Sequence, residues 1–151
     1  MLRGVVDTNV LVSALVARRG VCGQLLDAGV DGRWRLVVSP LLLVELEGVL
    51  GRKKFSRIAI AEVEQFVAAV QRHAEVVPDA PQPWPRVTRD PADDYLVALA
   101  QSAGADALVS GDLDLAELSD LSPPVMRPAD FLARVESEGR GRVPPRDVTA
   151  V

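Results

Sequence analysis

The chain contains one cysteine and one histidine in 151 residues, and only 4% of its side chains are aromatic. A lone Cys22 cannot close an internal disulfide, which suits a reducing compartment. A small buried or half-buried thiol is its expected role. The single histidine, His73, lies among polar residues of a helical pattern, so no cysteine–histidine pair is at hand for nucleophilic catalysis. No stretch approaches the roughly 20 apolar residues of a membrane-spanning helix. Met1 to Asp7 shows no charged leader ahead of a long apolar run. The expectation is a cytoplasmic protein without membrane attachment.

What is present is apolar: 48% of the residues are hydrophobic, enough for one globular domain. A domain of this size buries roughly 68–70% of the surface its unfolded chain exposes, so neither a disulfide nor a structural metal is needed for folding. The net charge of −4 argues against a plain nucleic-acid coat protein. Basic residues nevertheless cluster at Arg18-Arg19, at Arg33 and Arg35, and at Arg52-Lys53-Lys54 with Arg57. An acidic protein can still handle RNA if metal neutralises its carboxylates and basic residues line the rim.

Short apolar runs alternate with helical patterns. Gly4-Val5-Val6 reads as a buried strand feeding a helix over Val10 to Val16, and a second helical piece surrounds Val21 to Ala28. Trp34 to Val38 is the next strand. Ser39 as cap and Pro40 at the first helical position then open a helix running to about Leu50. Val63, Phe66, Val67 and Val70 give an amphipathic helix over Ile58 to Ala74. Val76-Val77 reads as a short strand, and Pro78 to Pro91, with five prolines, as a long loop. A helix over Ala92 to Ala103 leads to a buried strand at Ala107-Leu108-Val109. A helical turn (Leu113 to Leu118), a strand at Val125-Met126 and a helix from Pro128 to about Val135 follow. The alternation predicts a three-layer α/β/α domain over residues 1–136 with a central, mostly parallel sheet. Residues 137–151, rich in glycine, arginine and proline, read as a loosely ordered tail.

Ligands of open α/β sheets bind beyond the carboxyl ends of the strands. Asp7 directly follows the first strand, and Asp112 follows Leu108-Val109 with two residues between, so both occupy one edge if those strands are parallel. Asp94 lies in the first turn of its helix. Glu45 sits among leucines and valine in mid-helix, where a carboxylate calls for a positive partner. Two carboxylates ~4 Å apart repel by about 4 kcal/mol at an effective dielectric of 20, so four converging acids need a cation. Oxygen-only donors suit Mg²⁺ or Mn²⁺ rather than zinc. The chemistry this implies is metal-assisted phosphodiester hydrolysis. Taken singly, Asp7 could be an ordinary helix cap, Asp94 a dipole-stabilising acid, and Asp112 part of a turn. Only the joint pattern favours a site.

These residues resemble a known family. Val5-Val6-Asp7-Thr8-Asn9-Val10-Leu11 looks like the opening motif of PIN domains, and the helix from Ser39-Pro40 through Glu45-Leu46 to Arg52-Lys53-Lys54-Phe55 resembles the glutamate helix of one bacterial subgroup. Asp90-Pro91-Ala92-Asp93-Asp94-Tyr95-Leu96 and Val109-Ser110-Gly111-Asp112 match the third and fourth acidic motifs. The resemblance covers about residues 3 to 133. It implies a ribonuclease holding one or two Mg²⁺ or Mn²⁺ ions at Asp7, Glu45, Asp94 and Asp112. Glu45 would act as ligand or as water-positioning base. Asn9 and Ser110 would orient those carboxylates from behind. The family pattern selects Asp94 over Asp93, a choice helix geometry alone does not make. Subgroup members are described as toxins of toxin–antitoxin systems, so the resemblance also implies an RNA substrate, a cognate antitoxin and a homodimer, none of them visible in the residues themselves.

Other readings compete. A phosphotransferase with a nucleophilic aspartate would want a second aspartate where Asn9 stands, and a lysine later than Lys53 and Lys54. A receiver-type signalling domain would want clustered acids near the first strand and a late lysine, and this chain lacks both. A PIN-like module that binds RNA or protein without cutting would show an incomplete acidic set, whereas this set looks complete.

Overall fold

A computed structural model of the chain describes residues 1–52, 57–112, 115 and 121–141, the side chains of 91, 92, 140 and 141 aside. Strands β1 (Arg3–Val6), β2 (Arg35–Val38), β3 (Glu75–Val76), β4 (Ala107–Val109) and β5 (Val125–Met126) form one sheet in the order β3-β2-β1-β4-β5. Every neighbouring pair is parallel. Val5 pairs with Val37 on one side and with Leu108 on the other. Consecutive residues of β1, β2 and β4 are buried although their side chains alternate between faces, so both faces of the sheet are covered. The result is the expected three-layer α/β/α arrangement.

The described helices are α1 (Thr8–Val16), α2 (Val21–Val30), α3 (Pro40–Leu50), α4 (Ile60–His73), α5 (Pro91–Ser102) and α6 (Pro128–Gly141). Local chemistry starts two of them where the sequence suggests. Asp7 caps α1 by accepting from the Asn9 backbone N–H, and the Ser39 hydroxyl accepts from Leu42 N at 3.2 Å, with Pro40 in the first turn of α3. Helix α6 runs further than expected. Ser137 to Gly141 belong to it, so a tail beginning at Ser137 is corrected; residues 142–151 lie outside the described part. The helical turn expected over Leu113 to Leu118 lies outside it too, apart from the buried Leu115.

The core gathers Val5, Val6, Val37, Val38, Leu108 and Val109 of the sheet with Leu11, Leu25, Leu42, Leu46 and Leu99 of the helices. Trp34 meets Phe131 of α6 edge-on, ring centroids 5.1 Å apart, and its indole N–H donates to Leu25 O. At the amino edge of the sheet Arg3 holds Glu75 through two 3.0 Å bonds, and Arg35 approaches the same carboxylate at 3.6 Å. Hydrogen bonding from Arg3 keeps the Glu75 carboxyl below its ordinary pKa. No described helix is long and apolar enough to cross a membrane.

Candidate active site

The acids collect at the opposite edge, and β1 and β4 place the first two. Asp7 N donates to Val109 O at 2.9 Å, which ties the exit of β1 to the end of β4. The Asp7 side chain is only 7% exposed and both its oxygens are engaged. Oδ1 accepts from Asn9 N at 3.2 Å, and Oδ2 accepts from the Ser110 hydroxyl at 3.0 Å. Ser110 Oγ accepts in turn from Asp112 N at 3.0 Å, so one buried hydroxyl connects two of the acids. Asp7 thus caps a helix and faces the cluster at once. The Ser110 side chain is thus in contact with Asp7, one of the carboxylates the resemblance pairs it with. Asn9 reaches Asp7 through its backbone, while its exposed side chain lines a shallow cleft with Cys22 and Asp112. Cys22 is half-buried there, and desolvation pushes its thiol pKa up, which keeps it uncharged.

Asp93 and Asp94 occupy the first turn of α5, where their N–H groups donate to Asp90 O and their charges suit the helix dipole. Successive helical residues are about 100° apart, and the two side chains go separate ways. Asp93 is half-buried; desolvation, then the negative charges of Asp112, Asp7, Asp90 and Asp94, push its carboxyl up to about 6. Asp94 is 1% exposed and turned to the proline-rich loop. Its Oδ1 accepts from Val87 N (3.0 Å), Thr88 N (2.7 Å) and Thr88 Oγ1 (2.8 Å). Oδ2 has no hydrogen-bond donor and is balanced by Arg86 Nε at 3.3 Å. Burial alone would raise the Asp94 pKa, but the Thr88 and Val87 bonds and the Arg86 charge outweigh it and hold the carboxyl below its ordinary range. Asp93 is thus the one of the pair on which the charges of Asp112 and Asp7 act, while Asp94, which the family pattern selects, accepts from the loop.

Glu45 is half-buried on α3, and the expected positive partner is absent among the described residues. A neutral donor takes that place. The Tyr95 hydroxyl, on the residue after Asp94, donates to Glu45 Oε2 at 2.5 Å. Desolvation and the Glu45 charge both raise the Tyr95 pKa, and the Asp7 charge adds to them, so the phenol keeps its proton and lies near Asp7 as well. Thr8 Oγ1, buried beside it, makes no well-formed hydrogen bond. Trp84 of the loop packs on the Tyr95 ring at 5.6 Å between centroids. Sequence reasoning missed Tyr95, although it is the chain's only tyrosine and stands next to the acid pair.

A divalent cation fits the donor chemistry. Asp7, Asp93 and Asp112 crowd like charge into one place, and no described lysine or arginine pairs with Asp7, Asp93 or Glu45. Among the described residues no three acidic, histidine or cysteine side chains form a ready-made shell, so an ion would have to draw the carboxylates together. An apolar cleft among α1, α2 and α4, bordered by Trp34 and His73, holds none of the site carboxylates. Charge, rather than a deep pocket, marks this site.

The model of the PIN domain matches residues 3–114. The chain belongs to the PIN-domain family. PIN domains are in general nucleases that use divalent metal ions. Among solved structures, this PIN domain is similar to PAE2754 from Pyrobaculum aerophilum, at 19% identity and a TM-score of 0.64 over 90% of each chain. It is also similar to a chain of VapBC2 from Rickettsia felis, solved bound to a DNA fragment from the promoter. That match has 13% identity and a TM-score of 0.55, covering 83% of this chain and 98% of the other. At those identities the likeness is one of fold. No curated protein matches the chain in sequence.

Proposed function

We propose that the protein is a Mg²⁺- or Mn²⁺-dependent endoribonuclease, the toxin of a type II toxin–antitoxin pair, acting in the cytoplasm and restrained by a cognate antitoxin. The observation that carries the nuclease reading is the convergence of Asp7 and Asp112 on the Ser110 hydroxyl at the carboxyl edge of the sheet, with the charge of both acting on Asp93. Membership of a family of nucleases and the fold shared with VapBC2 support the remainder. The fold shared with a VapBC chain is also what favours an antitoxin partner, and the family resemblance is what implies a homodimer.

Asp7, Asp93 and Asp112 would hold the ion and Glu45 would complete its shell, with Ser110 fixing Asp7 and the main chain at Asp112. When bound, the ion supplies charge neutralisation and Lewis acidity at the phosphodiester. Glu45 has one oxygen engaged by Tyr95 and the other left to orient the attacking water and accept its proton. The water oxygen bonds to phosphorus as the bond to the leaving oxygen breaks, and that oxygen takes up a proton. Arg86, 72% exposed and anchored by Asp94, stands on the loop next to this edge, where a phosphate of the RNA strand would pass.

The test is cleavage of a mixed single-stranded RNA pool with Mn²⁺, with EDTA as control. Cutting that EDTA stops and Asp7→Asn abolishes is the expected result. Equal cutting by the parent and Asp7→Asn would show the site to be misplaced. The absence of a preassembled shell among the described residues favours a second reading, a PIN-like module that binds RNA or protein and cuts little or not at all. Retention of RNA by the Mn²⁺-loaded protein without cleavage would select that reading. Growth arrest on expression, relieved by Asp7→Asn, would support the toxin role.

A further inference from the structure

Glu45 is held by something outside the acid cluster. Glu45 stands 50 residues before Tyr95, yet the Tyr95 hydroxyl donates to Oε2, and the phenol has a single proton to give. The ring behind that hydroxyl is 6% exposed and packs at 45° on Trp84. Trp84 is itself fixed, its indole N–H donating to Ala80 O at 3.0 Å. The loop is pinned again three to four residues later, where Asp94 holds Val87 and Thr88. Two consecutive residues of α5 therefore connect the loop to the site, Asp94 through its carboxylate and Tyr95 through its ring.

We propose that Tyr95 is a positioning residue for Glu45: it holds Oε2, leaves Oε1 as the working oxygen, and is itself held by Trp84 of the proline-rich loop. This rests on the metal-dependent reading given above. A glutamate on a helix has three rotatable side-chain bonds, and an unheld carboxylate would sample rotamers that miss an ion at the sheet edge. Partners that orient ligating groups are commonly worth 10–100-fold in metal affinity. A tyrosine buried only to fill the core would behave differently, because its loss would cost the same whatever stood at position 45.

The experiment is a double-mutant cycle on the full chain. Tyr95→Phe keeps the ring against Trp84 and removes only the hydroxyl. Mn²⁺ affinity without RNA is measured by calorimetry for the parent, Tyr95→Phe, Glu45→Gln and the double variant. Tyr95→Phe is expected to weaken Mn²⁺ binding about 10-fold in the parent and less than about 2-fold in the Glu45→Gln background. Equal losses in both backgrounds would overturn the proposal. A second measurement needs no metal: side-chain ¹³C relaxation at Glu45 Cγ in the metal-free protein. Greater mobility of Glu45 in Tyr95→Phe supports the proposal even if the parent binds no Mn²⁺, an outcome that would sink the metal reading alone. Unchanged Glu45 mobility sinks the proposal whatever the metal does.

Discussion

Asp93 and Asp94 are neighbours in one helical turn, and their carboxyl groups are perturbed in opposite directions. Desolvation and the charges of Asp112 and Asp7 push Asp93 up to about 6. Asp94, more deeply buried, is held below its ordinary range by Thr88, Val87 and Arg86. Buried carboxylates are tolerable when hydrogen-bonded and paired, and costly when crowded by their own sign. Asp94 meets the first condition and Asp93 the second. Unresolved charge is what a cation would relieve, and that separates the two.

Conservative substitutions should therefore have opposite profiles. Asp93→Asn is expected to abolish Mn²⁺-dependent cleavage and, in the metal-free protein at pH 8, to raise stability by on the order of 1 kcal/mol through relieved repulsion. Asp94→Ala should destabilise the fold by about 3 kcal/mol, because it leaves two backbone N–H groups, the Thr88 hydroxyl and Arg86 without their acceptor. Urea unfolding beside the RNA cleavage assay measures both. Destabilisation by Asp93→Asn with normal cleavage would reverse the two roles.

The strands and most helices were legible in the sequence because their signals are local. Val5-Val6, Leu36-Val37-Val38 and Leu108-Val109 are apolar runs too short for helices, and Ser39-Pro40 announces α3. Asp7 was legible for the same reason, since it directly follows a buried strand. What was not legible depends on contacts between distant segments. The different surroundings of Asp93 and Asp94 depend on the loop at 86–88 returning to Asp94, a contact with no periodicity to announce it. The partner of Glu45 was expected to be a cation because a charge in an apolar helix must be compensated. A phenol 50 residues away meets that need by hydrogen bonding, and charge balance alone does not announce a neutral donor.

Metal affinity should depend on pH through Asp93. Below about 6 its carboxyl carries a proton that an ion must displace, so Mn²⁺ binding should weaken as the pH falls through that value. Calorimetry at pH 5 in buffers of different ionisation enthalpy should find roughly one proton released per ion, and at pH 8 almost none. Stability without metal has two opposed contributions. That of Asp93, whose pKa is raised, is fully present below the unfolded value and lost as the pH rises through about 6. That of Asp94, whose pKa is depressed, is present above the unfolded value and lost as the pH falls through the folded one. No proton release at pH 5 would remove Asp93 from the ligand set.

A core substitution away from the site provides the contrast. A Cβ on Gly4 of β1 would stand 3.2 Å from Phe131 Cζ and 3.3 Å from Trp34 Cζ3, two buried rings with little room to withdraw. Gly4→Ala should cost about 1–3 kcal/mol by overpacking. Cleavage per folded molecule should stay at the parent level. Thermal unfolding and an assay normalised to folded protein check this, and lost activity at full folding would mean that the site is sensitive to small shifts of β1.

Ser110 joins stability and chemistry in one atom. Its hydroxyl, fully buried, donates to Asp7 Oδ2 and accepts from Asp112 N. Ser110→Ala leaves a buried carboxylate oxygen and a backbone N–H without their partner, which should cost about 1–3 kcal/mol. It also frees Asp7 to turn and Asp112 to shift, and ligand-orienting contacts of this kind are commonly worth 10–100-fold in metal affinity. Cysteine at this position keeps the size but is a weak donor, so Ser110→Cys should lose Mn²⁺ affinity with less loss of stability, while Ser110→Thr should keep the donor and recover most of the affinity. The two measurements are chemical unfolding and Mn²⁺ calorimetry. If all three variants bind Mn²⁺ as the parent does, the link from Ser110 to Asp7 stabilises the fold without serving the site.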